Sequence, residues 1–262
     1  MPTAFLPDLR ITYRDDGPRD APALVMLHAL GLDGGVFDPV LPLLPPGLRV
    51  IRPDMRGHGA TDVPAPPYAM GALVRDVERL LDHLGVTDAV VLGLSIGGLI
   101  AQGLAVKRLD LVRGLILSNT AARLGNDTLW QGRIAQVRAG GMAAIADATL
   151  ERWFGRAFRA TGAAAPFRDR LLACNPEGWQ GAAAAIAGTD FYTPTASLTL
   201  PALVIAGSED GSVPPDLVRE TADLIAGADY RLIRGAGHLP FVEKPQDYAQ
   251  AVCTFLARIA HV

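Results

Sequence analysis

Apolar residues fall along this chain in two alternating rhythms. Short, largely apolar runs, interrupted by Arg49, Arg52 and Arg231, occupy residues 23–28, 49–53, 89–94, 114–118, 202–206 and 230–233, the length and composition of β-strands. Between them, apolar positions recur at helical spacing over residues 71–84, 96–107, 215–226 and 245–260. The last two of these helices open near a proline, which suits a first helical turn because that turn has no use for the missing N–H. A strand that reads as an unbroken apolar run, rather than alternating in and out, is covered on both faces. Alternating strands and helices therefore predict an α/β fold: a mostly parallel central sheet flanked by helices on both sides. Residues 10–13 read as an antiparallel edge strand ahead of the array, and no internal repeat is visible.

One stretch breaks the rhythm. Residues 120–199 hold helical segments and many alanines but no strand signal. The chain is expected to divide into a core of residues 1–119 and 200–262 and a helical cap of residues 120–199, inserted after the sixth strand. Ligands of such sheets bind beyond the carboxyl ends of the strands, so a cap placed there would act as a lid.

The densest chemical signal is Gly93-Leu94-Ser95-Ile96-Gly97-Gly98, where an apolar run drives directly into a helix-like segment. A tight strand-to-helix turn exposes a serine hydroxyl, and flanking glycines leave room for the strained backbone it requires. Residues 89–106 carry no charge over eighteen positions and could pass for a membrane span. Four glycines, a serine and a glutamine interrupt that run, and no basic flank accompanies it. A buried strand followed by a core helix accounts for it equally well.

A serine nucleophile needs an imidazole to take its proton and a carboxylate to orient the imidazole. His238 lies in Gly235-Ala236-Gly237-His238, directly after the last predicted strand, and is the leading base. His28 and His58 could stand near the site in other roles; His83 falls on a helix and His261 is terminal. Asp210 follows the strand at 202–206 and is the leading acid, with Glu209 its nearest competitor. Asn119, after the strand at 114–118, carries an amide, which cannot stabilise an imidazolium charge. Asp54 reads as a structural loop residue. The order serine, acid, histidine at three strand ends is the order of the strand-elbow-helix hydrolases. The Leu30 and Ile96 amides are the expected donors of an oxyanion hole, with Gly31, Gly34 and Gly35 giving the first of these loops freedom to approach substrate.

Composition narrows the partners. The chain has 262 residues, half of them hydrophobic, enough for a large single core. A net charge of −3 without basic blocks argues against nucleic acid and anionic membranes as partners. Cys174 and Cys253 have no metal or redox spacing. No secretion signal is read at the N-terminus, so a cytoplasmic setting is expected.

Together, His28-Ala29-Leu30-Gly31, Asp54 to Gly59, Gly93 to Gly98, Gly207 to Asp210 and Gly237-His238 resemble the α/β-hydrolase superfamily over nearly the whole chain. A narrower resemblance, to the 3-oxoadipate enol-lactonases, rests on Ser118-Asn119-Thr120-Ala121-Ala122-Arg123-Leu124-Gly125, Trp130, Arg133, Gly140-Gly141-Met142 and Glu151-Arg152-Trp153-Phe154. The family often has Asn-Ser where His28-Ala29 stands, and Leu239-Pro240-Phe241 is more generic for esterases. The resemblance implies a Ser95, Asp210 and His238 triad, Leu30 and Ile96 as oxyanion donors, and hydrolysis of a small lactone with no metal or organic cofactor. Such a lactone carries a free carboxylate; Trp130 and Arg133 would share a helix face, with Arg133 on the carboxylate and Trp130 walling the pocket. Arg123, Arg138 and Arg152 are the alternative cations. Esterase action on small neutral esters, carbon–carbon bond hydrolysis and a noncatalytic ligand receptor are the competing functions.

Overall fold

A computed structural model describes all residues from Met1 to Val262. Eight strands form one sheet in the order β1-β2-β4-β3-β5-β6-β7-β8. They are β1 (Thr3–Leu6), β2 (Leu9–Asp16), β3 (Ala23–Leu27), β4 (Arg49–Pro53), β5 (Ala89–Leu94), β6 (Val112–Ser118), β7 (Ala202–Gly207) and β8 (Asp229–Ile233). From β4 to β8 every neighbouring pair is parallel, while β2 runs antiparallel to both β1 and β4. The expected antiparallel strand is therefore present but lies one place inside the edge. The edge itself, β1, escapes the apolar pattern because only Ala4 of its four residues is buried and Phe5 points outward.

Every residue of β3, β4, β5 and β7 is buried, which is why these strands show no alternation. Helix α1 (Met70–His83) keeps Leu73, Val74, Val77, Leu80 and Leu81 on one buried face, the stripe expected of a helix lying on a sheet. Helix α2 (Ile96–Lys107) is different. Nine of its first ten residues are buried, because it is wedged between the sheet, α1 and the cap. Its one buried amide, Gln102, donates to the carbonyls of Gly98 (3.0 Å) and Ala121 (3.3 Å) and accepts from the Thr195 hydroxyl. No helix of the protein is long and apolar enough to cross a membrane.

Six helices lie between β6 and β7: α3 (Asp127–Gly140), α4 (Ala143–Trp153), α5 (Arg156–Ala160), α6 (Ala165–Leu172), α7 (Pro176–Ala187) and α8 (Tyr192–Ala196). Trp130, Ile145, Trp153, Leu171 and Trp179 from this cap belong to the same buried cluster as the sheet residues. The cap has no separate core and is packed down on the strand ends. After β7 the chain returns through α9 (Pro215–Leu224), β8, the single turn α10 (Pro240–Glu243) and α11 (Pro245–Arg258).

The chain leaves β3 toward β4 on one side and later returns to β5 on the other. That reversal opens a crevice above β3 and β5, where open α/β sheets bind ligands. The loops after β3, β5, β6, β7 and β8 all emerge at this edge beneath the cap.

Candidate active site

Ser95 is the residue at which β5 becomes α2. Its backbone sits at φ 57° and ψ −119°, a conformation costing about 1–3 kcal/mol for a residue with a side chain. Neighbouring bonds hold it there. The Ser95 N–H donates to Ser118 O (3.0 Å), and Ser95 O accepts the Thr120 hydroxyl (2.6 Å) and Gly98 N–H (2.9 Å). The two glycines flanking the serine supply space rather than backbone freedom, since neither has a positive φ. A Cβ on Gly93 would lie 2.2 Å from Gly97 O, and one on Gly97 would lie 2.2 Å from Leu27 O.

His238 and Asp210 meet, Nδ1 to Oδ2 at 2.8 Å, with both side chains almost wholly removed from solvent. The other carboxylate oxygen accepts the Ser212 (2.7 Å) and Val213 (3.0 Å) amides. Glu209, the competitor, faces away: it accepts the Arg156 N–H in the cap at 2.8 Å. Ser95, His238 and Leu30 line one cavity of about 120 Å³, a volume for a small ligand. Ile96 begins α2, where the first backbone N–H groups have no partner within the helix and the helix dipole favours negative charge. Ser95, His238 and the Leu30 and Ile96 amides therefore gather at one strand edge.

The loop after β3 is not loose. His58 Nε2 accepts the Gly31 N–H (3.0 Å), Asp54 accepts the Gly34 N–H (2.9 Å), and Asp33 accepts the Gly35 N–H (2.7 Å). Three side chains thus pin the segment presenting Leu30. The structural role read for Asp54 holds, while the freedom expected from the glycines gives way to a fixed loop. His28 completes the support by accepting the Met55 N–H (3.0 Å). Both imidazoles face a carbonyl through Nδ1, so they carry the Nδ1–H tautomer and leave Nε2 to accept.

Burial, reinforced by neighbouring His28, pushes His58 down to about 3, and burial also lowers His28. In the unfolded chain an imidazole takes its proton near 6.5. The folded state therefore binds fewer protons below that value, and stability must fall as pH drops from about 6.5 toward 3. A Tm series from pH 7.5 to 4.5 should decline on the acid side, and His58→Asn should be less stable at neutral pH but flatter across the series. An equal slope in the variant would remove His58 from the account.

Two further residues escaped the sequence. Asn119 donates to both Asp210 Oδ2 (2.9 Å) and Gly237 O (3.1 Å). Glu243 accepts Gly237 N–H (2.6 Å) from the histidine loop and Gly155 N–H (2.9 Å) from the cap. Backbone bonds strengthen that seam: His238 N–H to Trp153 O (2.7 Å) and Gly211 N–H to Arg152 O (3.0 Å). A carboxylate four to six residues beyond a histidine loop is a common feature of helix starts, so only the folded distances mark Glu243 out.

On the cap side, Trp130 and Arg133 share one face of α3, the guanidinium lying 4.8 Å from the Trp130 ring centroid. Both line the cavity, as does Arg152. Arg133 has no acidic partner, and burial together with Arg152 lowers it to about 10, still cationic near neutrality. Arg152 donates to the Thr149 hydroxyl (3.1 Å), but its Nε is buried without a partner. No acidic residue lines the cavity. Of the other cations considered, Arg123 pairs with Asp190 at the surface and Arg138 is exposed.

The sequence matches the family model of the alpha/beta hydrolase fold over residues 22–245. The chain belongs to that family. Over 253 residues it is 31% identical to 3-oxoadipate enol-lactonase 2 of Acinetobacter baylyi, spanning 96% of this chain and 94% of that one. Among solved structures it superposes on the enol-lactonase from Burkholderia xenovorans LB400 with a TM-score of 0.94 at 36% identity, covering 98% of this chain and all of the other. A hydrolase from Pseudomonas aeruginosa PA01 is 39% identical with a TM-score of 0.91, covering 97% and 98% of the two chains.

Proposed function

We propose that this protein opens a small carboxylate-bearing lactone, 3-oxoadipate enol-lactone, to the free acid through an acyl-enzyme on Ser95. The supporting observation is the pair of cavity-facing arginines, Arg133 and Arg152, with no acidic residue to neutralise them. A half-buried, unpaired guanidinium is costly unless an anion completes it, and arginine matches a carboxylate with two parallel hydrogen bonds. The likeness to proteins named as enol-lactonases supports the same substrate class.

In this reading the Ser95 hydroxyl attacks the ring carbonyl while His238 Nε2 takes its proton. Asp210 holds the ring in the Nδ1–H tautomer and stabilises the imidazolium. The Leu30 and Ile96 amides receive the oxyanion. Collapse of the tetrahedral intermediate breaks the ring C–O bond and expels an enolate, a better leaving group than an alkoxide, which takes the proton from His238 to become the enol and leaves the imidazole neutral. The leaving group stays tethered, so reclosure competes with water until the enol rearranges to its ketone. His238 then activates water, which releases the acid and returns the proton to Ser95.

Steady-state assay on the enol-lactone and on a neutral ester of similar size tests the reading. Arg133→Ala should raise KM for the acidic lactone about 10- to 100-fold, the loss of one hydrogen-bonded charge, and change KM for the neutral ester little. Equal effects on both substrates would favour an esterase of neutral substrates instead.

A further inference from the structure

Asn119 closes β6 with φ 47°, a left-handed conformation that asparagine tolerates better than most residues. It is fully buried, and its backbone N–H is fixed to Ile205 O on β7 at 2.8 Å. The direction of its side-chain amide is also fixed. The nitrogen faces two acceptors, Asp210 Oδ2 and Gly237 O, while the oxygen accepts the Ser118 hydroxyl at 3.0 Å. Reversing the amide would set its oxygen against a carboxylate and a carbonyl. With Asn119 in place, Asp210 receives four donors: two backbone amides on Oδ1, and Asn119 and His238 on Oδ2. No carboxylate lone pair is left idle, so the group can neither rotate nor drift from the imidazole.

We propose that Asn119, oriented by Ser118, is a positioning residue for the reaction. It holds Asp210 Oδ2 in line with His238 Nδ1, ties the acid loop to the histidine loop through Gly237 O, and shares the carboxylate charge that would otherwise fall wholly on the imidazole. The proposal rests on the reading of His238 as general base. Removing the amide leaves the Asp210 charge unshared and so a stronger partner for the imidazolium formed in the reaction, which moves the acid limb of the rate upward. The other charged and titratable groups around His238 stay in place. Glu209 belongs to the acid loop and Glu243 to α10, each bonded to the cap. Arg133 and Arg152 face it across the cavity. Tyr248, on α11, lies near Ser118, its buried hydroxyl without a hydrogen-bond partner.

The test is the pH profile of kcat/KM for the wild type, Asn119→Ala, Asn119→Asp and Ser118→Ala, with Asp210→Asn alongside. Asn119→Ala should lower kcat about tenfold, leave KM within about twofold, and move the acid limb upward by about half to one pH unit. Asn119→Asp, which sets a second carboxylate against the first, should move it further the same way. Ser118→Ala removes the bond that steadies the amide oxygen and should give a smaller shift in that direction, keeping the proposal testable if the Asn119 variants fold poorly. Loss of kcat with an unmoved acid limb, or a KM that rises in step, would make Asn119 a structural residue only. Wild-type rates in Asp210→Asn would instead overturn the reading of the acid and base beneath it.

Discussion

Ser95→Ala leaves a folded protein with no practical turnover: kcat on enol-lactone and neutral ester alike falls about 10⁴- to 10⁶-fold, the loss seen when a hydrolase nucleophile is removed. Alanine accepts the same backbone angles at the same cost, and the bonds from Ser118, Thr120 and Gly98 that hold the turn are made by the main chain of residue 95. The elbow therefore survives the change, and Tm should move by no more than a few degrees. Thr149 and Ser212 also reach the cavity, but neither lies at the start of α2, where helix amides await negative charge. Mass spectrometry of enzyme quenched during turnover should show an acyl adduct in the wild type and none in the variant. Residual activity within tenfold of wild type would exclude Ser95 as the nucleophile and, with it, the acyl-enzyme.

Asp210→Asn should cost about 10³- to 10⁴-fold in kcat, and the hydrogen-bond inventory says how. The Ser212 and Val213 amides demand an acceptor at Oδ1, so the new side chain must point its nitrogen toward His238 and Asn119. A donor then meets Nδ1, and the imidazole answers by moving its proton to Nε2, the atom that has to receive the serine proton. The same nitrogen meets the Asn119 amide, a second pairing of donor against donor. Substrate contacts in the cap are untouched, so KM should change far less than kcat. A variant that instead loses affinity with kcat preserved would mean that Asp210 shapes the pocket rather than the base.

The central strands and α2 were legible because burial on both sides erases polar positions, and the elbow was legible because Gly93 and Gly97 have backbone within 2.2 Å of where a side chain would begin. Such constraints leave local marks. Edge strand β1 left none, since a strand with one buried residue in four has no periodicity to read. The chemistry divided along the same line. Ser95, Asp210 and His238 follow predicted strands, so topology alone brings them to one edge. Asn119 and Glu243 act through partners far away in sequence, Asn119 across 91 positions to Asp210 and Glu243 across 88 to Gly155. Asn119 was visible only as an acid that was missing. The two loop histidines read as neighbours of the site, but their hold on Gly31 and Met55 needed the fold. Arg152 shows the reverse case: it stood among four candidate cations, and burial against the cavity singled out two.

The seam between cap and core also bears on how specificity can be changed. The carbonyls of Arg152 and Trp153 receive amides from the acid and histidine loops, and Glu243 clasps Gly155. A cap borrowed from a relative would arrive with its own selection of pocket walls, yet the junction at residues 152–156 is simultaneously part of the scaffold under Asp210 and His238. Chimeras cut inside α4 would thus sever the reactive centre from its support, whereas grafts confined to α3, upstream of Gly141, exchange the Trp130 and Arg133 wall and leave that support whole. Helix α4 thus serves twice, lining the cavity with Arg152 and anchoring the seam with its carboxyl end, whereas α3 serves the cavity alone.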